Sequence, residues 1–185
     1  MPGFISLADA KRHLKVETDD EDAYIAALIA AAGAFIEDRT GFVCPRREEE
    51  RFGFDGFCRK IELLRRPIDP ATVSVSYLDG SGETQTLAEV RLVEKNGTTR
   101  ILPPIGRTFP TPARTEGAVS VLASVGYPAA TDEAEVACSD SLKHAARLLV
   151  GHFYRNREAV VTGTTSSDLQ FAVDSLLDAD RLRKL

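Results

Sequence analysis

The sequence has few cysteines and no long apolar run, which argues against a disulfide-built protein and a membrane-spanning one. The 185-residue chain has three cysteines, Cys44, Cys58 and Cys138, which are far apart and odd in number. This pattern fits a reduced intracellular chain better than a disulfide scaffold. The most apolar stretch, residues 23–36, is shorter than the about 20 apolar residues that span a bilayer. The N-terminal residues lack the basic and apolar regions of a signal peptide, so we expect none, and no membrane partner.

Side chains that could carry out chemistry are also scarce. His13, His144 and His152 are the only histidines, and neither they nor the cysteines have metal-ligand spacing. No Gly-x-Ser-x-Gly elbow occurs. The glycine-rich Asp79-Gly80-Ser81-Gly82 lacks the Lys-Ser/Thr pair of a phosphate-binding loop and is expected to be a hairpin turn. We therefore expect no catalytic residues, no cofactor and no metal, and we expect that the protein is not an enzyme.

The charge balance is acidic, with 28 Asp and Glu against 23 Lys and Arg and a formal net charge of −5. This argues against a non-specific nucleic-acid binder, because affinity for phosphates comes mainly from Lys and Arg, but not against a protein that surrounds DNA without gripping it. The basic pairs Arg46-Arg47, Arg59-Lys60 and Arg65-Arg66 lack the interleaved aromatics of single-strand binders. We interpret them as salt-bridging surface or subunit-contact residues, with a DNA-lining face as the alternative.

Capping signals predict two helices in the N-terminal part. Ser6-Leu7-Ala8-Asp9 has the form of a capping box and predicts a helix over residues 7–14. A second box, Thr18-Asp19-Asp20-Glu21, predicts a helix that runs to about Arg39 and stops at Gly41. Apolar residues at helical spacing predict the buried stripe of this helix: Ile25, Leu28, Ile29, Ala32, Phe35 and Ile36.

The middle of the chain has strand patterning instead. Apolar and small polar residues alternate over residues 73–77 and again over residues 119–125. The turn residues 79–82 and the pair Asn96-Gly97 each lie between two such runs, which predicts two β-hairpins. Prolines bracket residues 103–112, so this segment is expected to be an irregular loop rather than a central strand.

The C-terminal part is predicted to contain a helix from Ser139 to Glu158, a polar spacer at residues 162–167 and a short terminal helix from Val173 to Leu185. The tail that begins at Phe171 is too short to form a core of its own. It must therefore dock either on its own domain, as a clasp, or on a neighbouring subunit, as a hook. Apolar spacing predicts the buried face of the longer helix: Leu142, Ala145, Ala146, Leu149 and Phe153.

Tyr and Arg side chains cluster where the longer helix ends. Tyr154, Arg155 and Arg157 are of the types most enriched at interface hot spots, which favours a contact surface. Arginines also suit the negative end of a helix dipole, so an ordinary surface role remains an alternative. We predict an α+β fold for a single domain of residues 1–185, with a body of about four helices (1–44 and 129–185) and a small antiparallel β insertion (about 45–127).

Short segments at both ends of the chain, taken in order, resemble a known family. They are Ile5 to Leu14, Asp19 to Asp22, Ile25 to Gly41, Gly126-Tyr127-Pro128, Leu142 to Leu149, His152 to Ala159 and Phe171 to Leu177. Together they are similar to the head–tail connector (adaptor) proteins of long-tailed double-stranded DNA phages, which prophages and gene transfer agents also carry. The similarity covers a little under half of the chain and does not include the β insertion.

The resemblance implies a structural role as a ring, typically dodecameric, beneath the portal, where the ring extends the DNA channel and joins capsid to tail. The implied partners are the portal protein, a stopper or tail-terminator protein and further copies of the chain, with genomic DNA passing through without sequence-specific binding. The implied location is the head–tail junction of the virion, and the host cytoplasm during assembly. The residues predicted to contact subunits or the portal are Phe153, Tyr154, Arg155, Arg157, Glu158, Phe171, Val173, Leu176 and Leu177.

Two other functions remain open from the sequence. One is a cellular helical binding module or nucleic-acid-associated regulator, for which salt-dependent DNA binding is the discriminating observation. The other is a different head-completion or tail component, which shares the virion location but has different neighbours.

Overall fold

The computed structural model describes residues 3–95, 97–157 and 172–181, which belong to two compact units. The helical unit combines Met1–Arg46 with Tyr127–Leu185, and the β unit comprises Arg47–Gly126. Helices and antiparallel sheets are both present, so the predicted α+β class is confirmed.

Four helices are described in the helical unit. They are α1 (Leu7–Leu14), α2 (Asp22–Thr40), α3 (Asp140–Arg155) and a short α4 at residues 172–177, which continues into a 3-10 turn over Asp178–Asp180. Within the described ranges, no helix is long and apolar enough to cross a membrane.

Two of the helix starts lie where the sequence predicts them. The hydroxyl of Ser6 accepts a hydrogen bond from the backbone N–H of Asp9 at 3.1 Å and caps α1. The hydroxyl of Ser139 accepts from the N–H of Leu142 at 3.4 Å and caps α3. These bonds satisfy N–H groups that the first turn of a helix leaves without a partner.

The start of α2 corrects the second predicted capping box. The helix begins at Asp22, and its cap residue Glu21 makes no capping hydrogen bond with its side chain. The Glu21 carboxylate instead accepts hydrogen bonds from Tyr154 and Arg157 at the end of α3. A cationic donor forms a stronger hydrogen bond with a carboxylate than a backbone amide does, so the tertiary partners prevail over the local cap.

The other helix ends show one confirmation and one correction. Gly41 ends α2 as predicted, with a left-handed φ of 76° and its N–H donating to the carbonyl of Glu37 at 2.7 Å. The predicted extension of α3 to Glu158 is wrong, because the helix ends at Arg155. The carbonyl of His152 accepts from the backbone N–H of Asn156 at 3.0 Å and also from the Asn156 side chain at 2.9 Å, so Asn156 caps the end of the helix.

The core of the helical unit forms where α2 and α3 face each other and α1 and α4 pack against them. The predicted stripe of α2 is only partly buried at Leu28 and Phe35, because these two side chains lie at the edge of that core. Phe153 of α3 is likewise only partly buried. The fully buried residues that the helices contribute are Ala10, Ile25, Ile29, Ala32, Ile36, Leu142, Ala145, Ala146, Leu149, Val150, Val173 and Leu177.

The β unit contains two antiparallel sheets, with strand orders β1-β7-β3-β4 and β2-β6-β5. Alternate residues of the strands point inward because side chains alternate across a strand. Residues of both sheets, among them Leu63, Ile101 and Val121, form one buried cluster. The strands are β1 (Arg47–Phe54), β2 (Ile61–Leu63), β3 (Ser74–Leu78), β4 (Thr84–Thr86), β5 (Arg91–Lys95), β6 (Thr98–Leu102) and β7 (Val119–Val125).

Both predicted hairpins are confirmed by the pairing of β3 with β4 and of β5 with β6. In the first turn, the Asp79 carboxylate accepts from the backbone N–H groups of Ser81 and Glu83 at 2.9 and 3.1 Å. Hydrogen bonds from the Ser81 hydroxyl and the Gln85 amide, followed by these backbone bonds, lower the pKa of Asp79 to about 2. In the second turn, Gly97 has a φ of 70°, which a residue without a side chain adopts readily.

Candidate functional site: the end of α3 and the C-terminal helix

The predicted contact residues at the end of α3 lie against the start of α2. The Tyr154 hydroxyl and the Arg157 guanidinium each donate to one oxygen of the Glu21 carboxylate. The Arg157 guanidinium also lies over the rings of Tyr24 and Tyr154, at 4.8 and 4.9 Å from the ring centres. We call these four residues the Glu21 cluster; it joins two helix ends through hydrogen bonds and cation–π contacts.

The electrostatics of the Glu21 cluster follow from its hydrogen bonds. The bond from Tyr154, followed by the bond from Arg157, holds the pKa of Glu21 below its ordinary value of 4.5, because both donors favour the ionised carboxylate. The same bond from the phenol to Glu21 raises the pKa of Tyr154 above 10.0. The cluster is therefore in its strongest form when Glu21 is charged and Tyr154 is protonated.

Acidification is expected to weaken this cluster. Since the pKa of Glu21 is lower in the folded chain than in the unfolded one, its stabilisation is present above about pH 4.5 and is lost as the pH falls through the lowered value. We expect Glu21→Gln to reduce the loss of thermal stability between roughly pH 5 and pH 3. Thermal unfolding followed by circular dichroism across this range measures it. Glu17→Gln, at an exposed position of the same unit, is the control, and an identical pH profile for all three proteins contradicts the prediction.

The remaining predicted residues of α3 have different surroundings. Phe153 packs against the helical core from its edge. Arg155 is exposed and has no ion-pair partner among the described residues. Glu158, Phe171 and the predicted spacer at residues 162–167 lie outside the described residues. A role for the α3 residues in contacting another subunit stays a prediction.

The C-terminal helix α4 packs on its own helical unit. Val173 and Leu177, one turn apart, are each only 1% exposed and belong to the helical core, and Leu176 packs against the edge of that core. Asp174 forms an ion pair with Arg39 of α2. Of the two alternatives left by the sequence, the described part of the tail therefore takes the form of a clasp within the chain.

Further contacts hold the clasp at both ends of α4. The Arg39 guanidinium lies over the ring of Phe35, 4.4 Å from its centre, which orients the guanidinium that Asp174 contacts. After α4, the Ser139 hydroxyl donates to the Asp180 carboxylate at 3.0 Å.

The partners Glu21, Tyr24 and Arg39 were not predicted as site residues. Their sequence positions have no interaction signal, because their site partners Tyr154, Arg157 and Asp174 lie more than a hundred positions away.

The described residues form no group of side chains that could bind a metal ion. Across residues 3–95, 97–157 and 172–181, no three His, Cys, Asp or Glu side chains come together in a group that could hold a metal ion. The arrangement at the end of α3 consists of mutually satisfied ion pairs and hydrogen bonds around a packed helical core. Such a site suits contact and positioning.

A family model described as head completion protein matches residues 3–170. Because the match spans most of the sequence, the chain belongs to the head completion protein family. The resemblance to head–tail connector proteins that the sequence indicates is thereby confirmed. No curated protein matches the sequence.

Solved structures share this fold over almost the whole chain. One is a chain of the neck of an empty gene transfer agent (GTA) particle computed with C6 symmetry, with a TM-score of 0.76. Another belongs to the virion of a native GTA particle, with a TM-score of 0.74. A third belongs to the neck of a native GTA particle computed with C12 symmetry, with a TM-score of 0.73. Each is 24% identical, and each match covers 98% of this chain and 91% of the other.

Proposed function

We propose that this chain is a head–tail connector that joins the capsid to the tail at the head–tail junction of a virion. The observation that carries the proposal is the head completion family match over residues 3–170. The fold shared with neck components of gene transfer agent particles supports the same location. Family membership implies a structural, non-catalytic role, and a site of contacts and ion pairs is consistent with such a role.

The connector acts as a ring of identical copies beneath the portal protein, with a stopper or tail-terminator protein as its next neighbour. Structurally similar chains in necks computed with C6 and C12 symmetry support a ring, and heterologous contacts between copies generate a ring when they close. Genomic DNA passes through the channel of this ring. The net charge of −5 favours passage over adhesion, because like charges repel the phosphate backbone.

Arg155 is the residue best suited to test the subunit contact, because its replacement does not disturb the described contacts within the chain. Arg157 and Tyr154 bind Glu21 within the chain, so replacing either one also disturbs the join between α2 and α3. Arg155 is exposed, and its replacement by alanine leaves the described contacts of the helical unit intact. We expect Arg155→Ala to reduce ring formation on the portal while the stability of the monomer is unchanged. The matched control is Arg12→Ala on the exposed face of α1, and normal assembly of Arg155→Ala shows that the assignment is wrong.

The C-terminal tail engages the portal or an adjacent subunit in this proposal. Since Val173 and Leu177 are buried in their own helical unit, their engagement with a neighbour requires the tail to be exchanged between copies, each tail filling the same site on the next copy. Deletion of the residues after Ser167 tests this, with portal attachment as the readout. Unaltered attachment by the truncated protein shows that the tail is not a hook.

Electron microscopy of the purified protein mixed with the portal ring from the same genome tests the connector function itself. The expected result is an added ring of density beneath the portal, which also shows which end of the connector docks. Bare portals in the presence of an excess of folded protein contradict the proposal. That result favours another head-completion or tail component, or a cellular binding module.

A further inference from the structure

The β unit contains an open groove of about 850 Å³ that none of the contacts described above uses. The groove lies between the proline-rich loop at residues 103–112 and the segment at residues 57–59. Phe57 and Phe109 stack on each other inside it, with their ring centres 4.6 Å apart, and both pack against the core of the β unit. The stacked pair therefore gives the groove a fixed apolar wall.

The charge of the groove is opposite to that of the whole chain. Arg59, Arg91 and Arg107 line it, and no Asp or Glu does. All three arginines are exposed, and none has an ion-pair partner within the described part of the chain. In a protein with five more acidic than basic residues (28 against 23), three uncompensated arginines in one groove form a local positive site.

The loop that forms one side of the groove is held in place by its backbone. The N–H of Arg107 donates to the carbonyl of Pro104 at 3.1 Å, and the N–H of Ala113 donates to the carbonyl of Leu78 in β3 at 2.8 Å. The prolines restrict φ along the loop. A groove with a preformed wall loses less conformational entropy on binding, so it is suited to hold a ligand.

The loop also exposes a large apolar side chain. Ile105 is 83% exposed at the tip of the loop, next to the groove. Apolar surface gains about 25 cal/mol for each Å² that is removed from water, so this side chain favours a partner that covers it. DNA offers phosphates for the arginines, but its charged backbone offers Ile105 less apolar surface than an aliphatic side chain does. Phe57 and Phe109 already stack on each other rather than leaving two open faces for bases.

We propose that this groove binds an acidic segment of a partner protein. Carboxylates of the segment pair with Arg59, Arg91 and Arg107, and an apolar side chain between them packs against Ile105 and the stacked phenylalanines. The inference goes beyond the connector function and does not depend on it, because the groove lies wholly within the β unit and needs no portal to form.

Binding of a model peptide by the isolated full-length protein tests the proposal. The probe is a fluorescein-labelled hexapeptide of alternating glutamate and leucine, followed by fluorescence anisotropy at low salt. We expect it to bind, a lysine–leucine peptide of equal length not to bind, and added NaCl to weaken the affinity by screening. The double variant Arg91→Glu/Arg107→Glu is expected to weaken binding about tenfold, because two exposed ion pairs become repulsive. Arg114→Glu, at an exposed position outside the groove, is the matched control.

Cys58 provides a second readout that locates the bound peptide. Its thiol is exposed in the groove, whereas burial raises the pKa of Cys44 to about 12 and of Cys138 to about 11. Since the thiolate is the reactive form, maleimide modifies Cys58 first. Bound peptide is expected to slow this modification.

The proposal is overturned if the peptide does not bind, if the double variant binds equally well, or if only a short DNA duplex binds and depends on the arginines. None of these results bears on portal attachment, which a separate assay measures.

Discussion

Replacing Leu177 by alanine is expected to lower the free energy of unfolding by about 2–5 kcal/mol. Leu177 is 1% exposed in the core of the helical unit, and its side chain helps to hold α4 on that unit. The smaller side chain leaves a cavity, because the surrounding helices close it only in part. Urea denaturation followed by the helical signal in circular dichroism measures the change.

Leu176→Ala is the matched control for Leu177→Ala. Leu176 lies on the same helix but is only partly buried, so its truncation removes less buried apolar surface and is expected to cost clearly less. An effect of Leu177→Ala within about 0.5 kcal/mol of wild type means that the tail is not packed on its own chain in solution. That outcome favours the hook over the clasp.

Leu177→Ala also serves as the stability control for the tail deletion. Truncation after Ser167 removes the buried Val173 and Leu177 together with the ion pair from Asp174 to Arg39. A truncated protein that fails to attach to the portal is therefore compared with Leu177→Ala, which loses stability but keeps the tail. Loss of attachment by the truncated protein alone, with both variants folded, supports a direct contact by the tail.

Replacing Val121 by aspartate is expected to destabilise the β unit by about 3–5 kcal/mol or more. Val121 is fully buried in β7, the strand that pairs with β1 on one side and β3 on the other. Its neighbours across the strands are Phe52 and Val75, which offer the new carboxylate no donor. The unpaired charge loses its hydration without gaining a partner. Urea denaturation followed by the β signal in circular dichroism measures the change.

Two comparisons distinguish burial of the charge from a general effect of the substitution. Thr86→Asp places the same side chain on the exposed edge strand β4 and is expected to change the free energy of unfolding by less than about 0.5 kcal/mol. The cost of Val121→Asp is also expected to shrink at low pH, because burial raises the pKa of the new carboxyl and its neutral form is easier to bury. Equal destabilisation by both variants contradicts the assigned packing of β7.

Much of the local structure follows from the sequence. Ser6 and Ser139 start their helices, Gly41 ends α2, and both hairpins form as predicted, with the turn at 79–82 in the first and Gly97 in the second. Each of these signals depends on residues within a few positions of one another. Such signals persist in the fold when no tertiary partner competes for the same polar group.

Glu21 shows where local reasoning fails. As the fourth residue of a capping box, it has every local reason to cap α2, yet its carboxylate binds Tyr154, which lies 133 residues further along the chain. The predicted end of α3 is also wrong, since the helix ends at Arg155 rather than at Glu158. The error at Glu21 arises because long-range side-chain hydrogen bonds prevail over the local cap. The error at the end of α3 is local, because Asn156 bonds the His152 carbonyl through both its backbone and its side chain.

The sequence by itself determined the α+β class, most element positions, the family resemblance and the absence of a recognisable catalytic pattern. Only the tertiary structure decided that α4 packs on its own helical unit, that the Glu21 cluster joins α2 to α3, and that three arginines share one groove in the β unit. The physical reason is the range of the interactions. Capping, turn and alternation signals act between neighbours in the chain, whereas ion pairs, buried apolar contacts and grooves depend on which distant elements pack together.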